Sequence, residues 1–125
     1  MILDTNALSG WADSDKKVER VVAAQTLLAL PVIVLGEFRF GLSGSKLQGP
    51  LEERLAVMEQ YVLILDVTRS TAQNYAEIRA ELKRVGTSIP SNDVWIAALA
   101  REHALPILSQ DAHFDSVKGV KRVDW

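Results

Sequence analysis

The sequence predicts an α/β fold in which a mainly parallel β-sheet is flanked by helices. Short apolar runs, typical of buried strands, alternate with segments of helix length, and this alternation is characteristic of parallel sheets. The runs are apolar at nearly every position rather than at every second one, which indicates strands buried on both faces. With 125 residues, of which 48% are hydrophobic and 24% charged, the chain has the size and composition of one globular domain. We therefore expect a single domain over residues 1–125.

Five apolar runs are the candidate strands. They are Met1–Asp4, Pro31–Leu35, Val62–Val67, Leu105–Ser109 and Val120–Asp124. In parallel sheets, ligands bind in the crevice outside the carboxyl ends of the strands. The residues that follow these runs are therefore the first candidates for a catalytic or binding site.

The segments between the strands carry the 3.6-residue period of amphipathic helices. Ser70–Val85 shows this period most clearly, with a capping box at Ser70–Gln73 and Gly86 where a glycine commonly follows a helix end. Pro50 is typical of the first turn of the preceding helix. The segment from Asn92 to about Glu102 is apolar nearly all round, which predicts a buried central helix.

Composition excludes several classes of protein. The chain has no cysteine, so disulfides, iron–sulfur clusters and thiolate zinc sites are excluded, and its two histidines are too few for a zinc site built from histidine. The net charge of −2 creates no general attraction for nucleic acid. No apolar run approaches the roughly 20 residues of a membrane span, and the first residues lack the features of a signal peptide. We therefore expect a cytoplasmic protein without a membrane segment.

Five acidic residues fall where the carboxyl ends of the predicted strands meet. Asp4 ends the first run, Glu37 follows the second, Asp93 opens the central helix, and Asp111 and Asp115 follow the fourth run. Carboxylates that converge in this way repel one another, and a divalent ion is the natural compensation. Carboxylate oxygens suit Mg²⁺ and Mn²⁺ rather than Zn²⁺. One or two such ions would activate water for the hydrolysis of a phosphodiester.

Each acid also has a structural interpretation. Helix capping, the helix dipole and turn formation would account individually for Asp4, Asp93, Asp111 and Asp115. Glu37 differs from these, because its segment is largely apolar and a buried carboxylate needs a partner.

Small polar residues accompany the acids. Thr5, Asn6 and Ser109 are placed to orient the carboxylates or to hold water, although such residues are also ordinary in turns. His113 would contact a phosphate or simply face solvent, and His103 is expected to be structural.

Four motifs together resemble the PIN-domain ribonucleases, and more narrowly the VapC-type toxins of toxin–antitoxin pairs. They are LDTN at the start of the chain, GEFRFG around Glu37, PSNDVWIAALA around Asp93 and ILSQDAHFD around Asp111. The resemblance covers the whole chain. It implies a PIN-like three-layer sandwich with a central, mainly parallel sheet and an endoribonuclease activity that depends on Mg²⁺ or Mn²⁺.

The resemblance also implies roles for individual residues. The four positions that match the acidic quartet of the family, which binds metal and acts in catalysis, are Asp4, Glu37, Asp93 and Asp111. Asp115 matches a further acid of many members, and Thr5, Asn6 and Ser109 match the small polar positions beside the acids. Gln110 stands where many relatives have arginine, so a positive charge near the substrate path is missing here.

Partners follow from the same resemblance. Such toxins usually form homodimers and are neutralised by a VapB-type antitoxin, whose tail lies in the active-site groove. They contact DNA only through the antitoxin. In such toxins the specificity for RNA lies in loops, of which Gly41–Pro50 is an example here.

Other functions fit the sequence less well. A non-catalytic PIN-like domain that binds RNA or protein is the main alternative, but its mark would be a missing acid. A receiver domain would need an adjacent pair of acids after the first strand, and a haloacid-type phosphatase would need Asp-x-Asp, whereas Asp4 is followed by Thr5 and Asn6.

Overall fold

The computed structural model describes residues 1–125 and contains one five-stranded sheet in which all strands are parallel. The strands run in the spatial order β3-β2-β1-β4-β5. They are β1 Ile2–Leu3, β2 Ala29–Pro31, β3 Leu63–Leu65, β4 Ile107–Leu108 and β5 Arg122–Val123. The predicted α/β fold with a parallel sheet is confirmed.

Six α-helices connect and cover the strands. They are α1 Thr5–Ala12, α2 Lys16–Ala23, α3 Val32–Leu42, α4 Gln48–Met58, α5 Arg69–Arg84 and α6 Ser91–His103. Short 3₁₀ turns span Glu59–Tyr61 and Ala112–Ser116. None of the helices combines the length and the apolar character that a membrane crossing requires.

Helix α6 forms the centre of the core, as its sequence predicts. Its residues Val94 and Ile96–Ala100 are buried, so apolar side chains surround most of the helix. The central strands β1 and β4 are buried as well. This arrangement fixes the first turn of α6, which carries Asp93, against the carboxyl edge of the sheet.

The predicted strand Pro31–Leu35 is wrong. Strand β2 ends at Pro31, and Val32 begins helix α3. A short buried apolar run has no periodicity that distinguishes a strand from a helix, and its β-branched residues favoured a strand. As a result, Glu37 lies on the second turn of α3 rather than in a loop after a strand.

The starts of two helices also differ from the prediction. The capping box of α5 is formed by Thr68 and Thr71, and not by Ser70–Gln73, because the backbone N–H of Thr68 donates to Thr71 Oγ1 at 3.0 Å. Helix α4 begins two residues before Pro50. The end of α5 agrees with the sequence, since Gly86 has the positive φ of +69° that favours glycine.

Candidate functional site

The candidate site lies at the point where the order of the sheet reverses. Strand β1 pairs with β2 on one side and with β4 on the other, so the connections that leave β1 and β4 open a crevice at their carboxyl ends. Asp4 follows β1 directly and Ser109 follows β4 directly. The two residues meet across this crevice.

Asp4 is a buried carboxylate held by neutral donors. Its residue is only 5% exposed, and its Oδ2 accepts hydrogen bonds from Ser109 Oγ at 2.7 Å and Asn6 Nδ2 at 3.1 Å. Although Asp4 occupies the N-cap position of α1, its side chain makes no capping hydrogen bond. The capping interpretation of Asp4 is therefore wrong, and its side chain faces the site instead.

Glu37 reaches the same edge from helix α3. Thr5 Oγ1 donates to one of its carboxylate oxygens at 2.5 Å, and Asn92 Nδ2 donates to the other at 2.6 Å. Arg39, the nearby cation in sequence, instead bonds Glu59 at 3.2 Å. The half-buried Glu37 is thus oriented by two neutral groups.

Asp93 and Asp111 share the imidazole of His113. Nδ1 of His113 lies 2.9 Å from Asp93 Oδ2 and 2.9 Å from Asp111 Oδ1. Asp111 also accepts the backbone N–H of His113, while its own N–H donates to Ser109 Oγ at 2.9 Å. Ser109 therefore links the pair formed by Asp93 and Asp111 to Asp4.

The acids influence one another's protonation. Burial is the main cause that raises the pKa of Asp4, and the negative charges of Asp93 and Glu37 add to it, while the hydrogen bond from Ser109 opposes it. Burial likewise raises the pKa of Asp93, with Asp111 and Glu37 adding and His113 opposing. The hydrogen bond to Asp93 raises the pKa of His113. These directions show an excess of negative charge in a partly dry site.

Asp115 lies apart from this group. Both of its oxygens bond the guanidinium of Arg122, each at 2.9 Å, and this interaction lowers its pKa. Arg122 also donates to the carbonyl oxygen of Ser109 at 3.1 Å. Asp115 thus anchors the loop of the site through Arg122, and the structure does not place its carboxylate with the other four.

Comparison with known proteins identifies the family of this fold and site. A profile of the PIN domain matches residues 1–120. The chain belongs to the PIN domain family. Within that family it is similar to VapC proteins over its whole length, which confirms the resemblance seen in the sequence motifs.

Two curated relatives and one solved structure illustrate the similarity of this PIN domain. Ribonuclease VapC5 of Mycobacterium tuberculosis is 29% identical, over 98% of this chain and 91% of that protein. The tRNA(fMet)-specific endonuclease VapC of Shigella flexneri is 32% identical, over 86% of this chain and 82% of that protein. The crystal structure of VapBC2 from Rickettsia felis, bound to a DNA fragment from their promoter, matches with a TM-score of 0.86 and 25% identity, over 99% of this chain and 97% of that one.

The donor groups of this PIN domain fit a hard divalent cation. Asp93, Asp111 and His113 each offer one ligand atom, and these atoms lie within 4.8 Å of one another. The negative charge of Glu37 acts on both Asp4 and Asp93, and that of Asp93 acts on Asp4, so these carboxylates lie near one another at the same edge. Oxygen-rich sets of this kind suit Mg²⁺ and Mn²⁺.

Two residues of the site were not recognised in the sequence. The side chain of Asn92, at the start of the predicted central helix, donates a hydrogen bond to Glu37. His113 looked like a solvated loop residue or a phosphate contact, yet it bridges Asp93 and Asp111. The only local signal is that Asn92 adjoins Asp93 and that His113 lies two residues from Asp111 and from Asp115. Gln110 contributes its backbone, since its N–H donates to Asn6 Oδ1 at 3.2 Å.

Proposed function

We propose that this PIN domain is a metal-dependent endoribonuclease that hydrolyses RNA phosphodiester bonds and acts as the toxin of a type II toxin–antitoxin pair. The names of its relatives support the ribonuclease activity. The observation that carries the metal dependence is the convergence of carboxylates at the β1–β4 crevice, where burial and mutual repulsion raise the pKa values of Asp4 and Asp93.

Four carboxylates would hold the metal, Mg²⁺ or Mn²⁺, and would be the catalytic groups. They are Asp4, Glu37, Asp93 and Asp111. We place Asp115 outside this set, because Arg122 engages both of its oxygens. A bound divalent ion supplies positive charge that lowers the pKa of water and stabilises the leaving oxygen of a phosphodiester.

Neutral hydrogen-bond donors hold these catalytic carboxylates in place. Ser109 and Asn6 fix the carboxylate of Asp4, and Thr5 and Asn92 fix one oxygen each of Glu37. Because these donors carry no charge, they orient the acids without removing their affinity for a cation. In the proposed reaction, the water oxygen bonds to phosphorus and one bridging P–O bond breaks.

The RNA backbone would approach along helix α5. Arg79 and Lys83 line a cleft with the turn at Gly86–Ile89, and Arg79 reaches Ser91 Oγ at 3.4 Å, two residues before Asp93. We propose that these two cations contact phosphates beside the catalytic carboxylates. Further candidates for backbone contacts with RNA are Lys46, Arg84 and Arg39, of which Arg39 is paired with Glu59.

The proposed inhibitory partner is a VapB-type antitoxin. Solved structures similar to this chain include the VapBC2 complex of Rickettsia felis and the FitAcB structure of Neisseria gonorrhoeae. A second cleft begins at Thr5 and Glu37 and continues over the apolar side chains of Phe38, Leu42 and Leu51. Such a cleft suits an antitoxin tail with apolar anchors and an arginine that pairs with the acids. We further propose that the toxin acts as a cytoplasmic homodimer and contacts DNA only through the antitoxin.

Cleavage of total bacterial RNA tests the proposed activity. The purified protein is incubated with Mg²⁺, with Mn²⁺ and with EDTA, and the same assay is run on Asp4→Asn and Asp115→Asn. We expect cleavage that requires metal, is lost in Asp4→Asn and is largely retained in Asp115→Asn. Cleavage that persists in EDTA would contradict the metal dependence. Folded protein that cleaves with neither metal would favour a binding PIN-like domain.

A further inference from the structure

His113 places a nitrogen donor among the carboxylates. Its Nδ1 lies 2.9 Å from an oxygen of Asp93 and 2.9 Å from an oxygen of Asp111. Donors in neighbouring positions of an octahedral shell at about 2.0–2.1 Å from the ion are roughly 3 Å apart. Both distances from Nδ1 are therefore ones that neighbouring ligands of a single ion have, and all three donor atoms lie within 4.8 Å of one another.

We propose that His113 is a nitrogen ligand of the metal and gives the site a preference for Mn²⁺ over Mg²⁺. The inference rests on the metal site of the proposed function and extends it from a purely carboxylate site to a mixed one. Mg²⁺ binds oxygen ligands almost exclusively, whereas imidazole suits transition metals. One imidazole among several carboxylates therefore shifts the balance towards Mn²⁺ while keeping the site acceptable to Mg²⁺.

The local fold presents the ring to the two acids. The backbone N–H of His113 donates to Asp111 Oδ1 at 2.9 Å, within the 3₁₀ turn that begins at Ala112. The next residue, Phe114, is fully buried, which anchors the turn to the core. The imidazole is thus held beside Asp93 and Asp111 by its own backbone rather than reaching them from a mobile loop.

A competing explanation makes the opposite prediction. If His113 only balances the charge of the two acids as a cation, a metal ion must displace it. Removing the imidazole would then strengthen the binding of Mn²⁺ and Mg²⁺ alike. Metal affinity measured without RNA therefore separates a ligand from a counter-ion.

Electron paramagnetic resonance of the Mn²⁺-loaded protein tests the proposal directly. The chain has only two histidines, and His103 lies ten residues beyond Asp93 on α6, roughly 15 Å along the helix axis. A histidine ¹⁴N coupling to bound Mn²⁺ in pulsed spectra therefore reports His113, and His103→Ala is the matched control. We expect the coupling in the wild type and in His103→Ala, and its loss in His113→Ala.

Titration with Mn²⁺, followed by the signal of the free ion, completes the test. We expect His113→Ala to weaken Mn²⁺ binding by at least about tenfold and to change the affinity for competing Mg²⁺ less. Loss of a residue that only hydrogen-bonds to a metal ligand already weakens metal binding by about tenfold or more. Bound Mn²⁺ without nitrogen coupling, or tighter binding in His113→Ala, would overturn the inference and leave the carboxylate site intact. A folded wild type that binds no Mn²⁺ would overturn the metal site of the proposed function as well.

Discussion

Replacing Asp4 by asparagine separates metal binding from the folding of the site. Asparagine retains an oxygen that accepts the hydrogen bonds of Ser109 and Asn6, and it fills nearly the same volume, but it carries no charge. Because a neutral amide is a poorer ligand for a hard cation, we expect Asp4→Asn to fold and to lose the stabilisation that metal gives.

The size of this stabilisation follows from mass action. A ligand present at 100 times its Kd stabilises the folded state by about 2.7 kcal/mol. The entropy of unfolding is about 2.1 cal/mol/K per residue, which gives roughly 0.26 kcal/mol/K for 125 residues. We therefore expect Mn²⁺ to raise the Tm of the wild type by about 10 °C and that of Asp4→Asn by much less.

Without metal, we expect Asp4→Asn to be at least as stable as the wild type. The pKa of Asp4 in the folded chain is raised above its ordinary value of 3.8. At a pH between the ordinary pKa and the raised pKa, the folded chain therefore binds more protons than the unfolded chain. Stability is then lost as the pH rises through this window. Asparagine does not titrate, so metal-free Asp4→Asn should unfold at the same temperature as the wild type or at a higher one.

Thermal unfolding followed by circular dichroism, in EDTA and in Mn²⁺, measures both effects. Asp115→Asn is the matched control, since it removes the charge of an acid that is paired with Arg122. It should keep the full shift on addition of Mn²⁺. A shift in Asp4→Asn equal to that of the wild type, or a clearly lower unfolding temperature of Asp4→Asn in EDTA, would contradict a role of Asp4 as a metal ligand.

Three further predictions concern the rest of the fold. Lys83→Ala should weaken RNA binding in EDTA and reduce the slope of log K against log salt by about one, whereas Lys17→Ala on helix α2 should change neither. Glu81→Gln should lower the free energy of unfolding at pH 7 and have less effect below pH 4.5. Arg101 holds the pKa of Glu81 below its ordinary value of 4.5, so the stability that this ion pair contributes is lost when Glu81 is protonated at low pH. Equal effects in urea titrations at pH 7 and pH 3 would contradict this. Ala104 has a φ of +52°, a left-handed conformation that is strained for alanine but not for glycine. Ala104→Gly should therefore raise the free energy of unfolding by about 1 kcal/mol, and a decrease in the variant would contradict this strain.

The sequence locates the acids that lie within three residues of the end of a buried strand. Asp4 and Asp111 come after β1 and β4, and a strand end followed by an acid is a local pattern that needs no knowledge of the packing. The sequence also places Glu37 at this edge, although most of the strand predicted before it is in fact the start of α3. The edge was still correct, because α3 begins at the carboxyl end of β2 and carries Glu37 back towards α1.

The hydrogen-bond partners of the acids could not be predicted in the same way. Asn92 meets Glu37 across 55 residues of sequence, and His113 meets Asp93 across 20. These contacts depend on how α6 and the final turn pack against α3 and β4. Composition and periodicity do not show how these elements pack. From the sequence alone, Asn92 and His113 are therefore indistinguishable from ordinary helix-start and loop residues.

The sign of the pKa shift separates two kinds of acid within this one molecule. Glu81 and Asp115 are each held by the guanidinium of an arginine, and the pKa of each is lowered, as expected of structural ion pairs. Asp4 is buried and Asp93 is half-buried beside other acids, and the pKa of each is raised. A fold that needed these two carboxylates only for stability would pair each with an arginine in the same way, or replace it with a neutral residue. Instead, Asp4 has only neutral donors and Asp93 has only the imidazole of His113. These two carboxylates are therefore best explained as a binding site for a cation. In the proposed reaction this cation is the divalent ion, and in the proposed inhibited complex it is an arginine of the antitoxin.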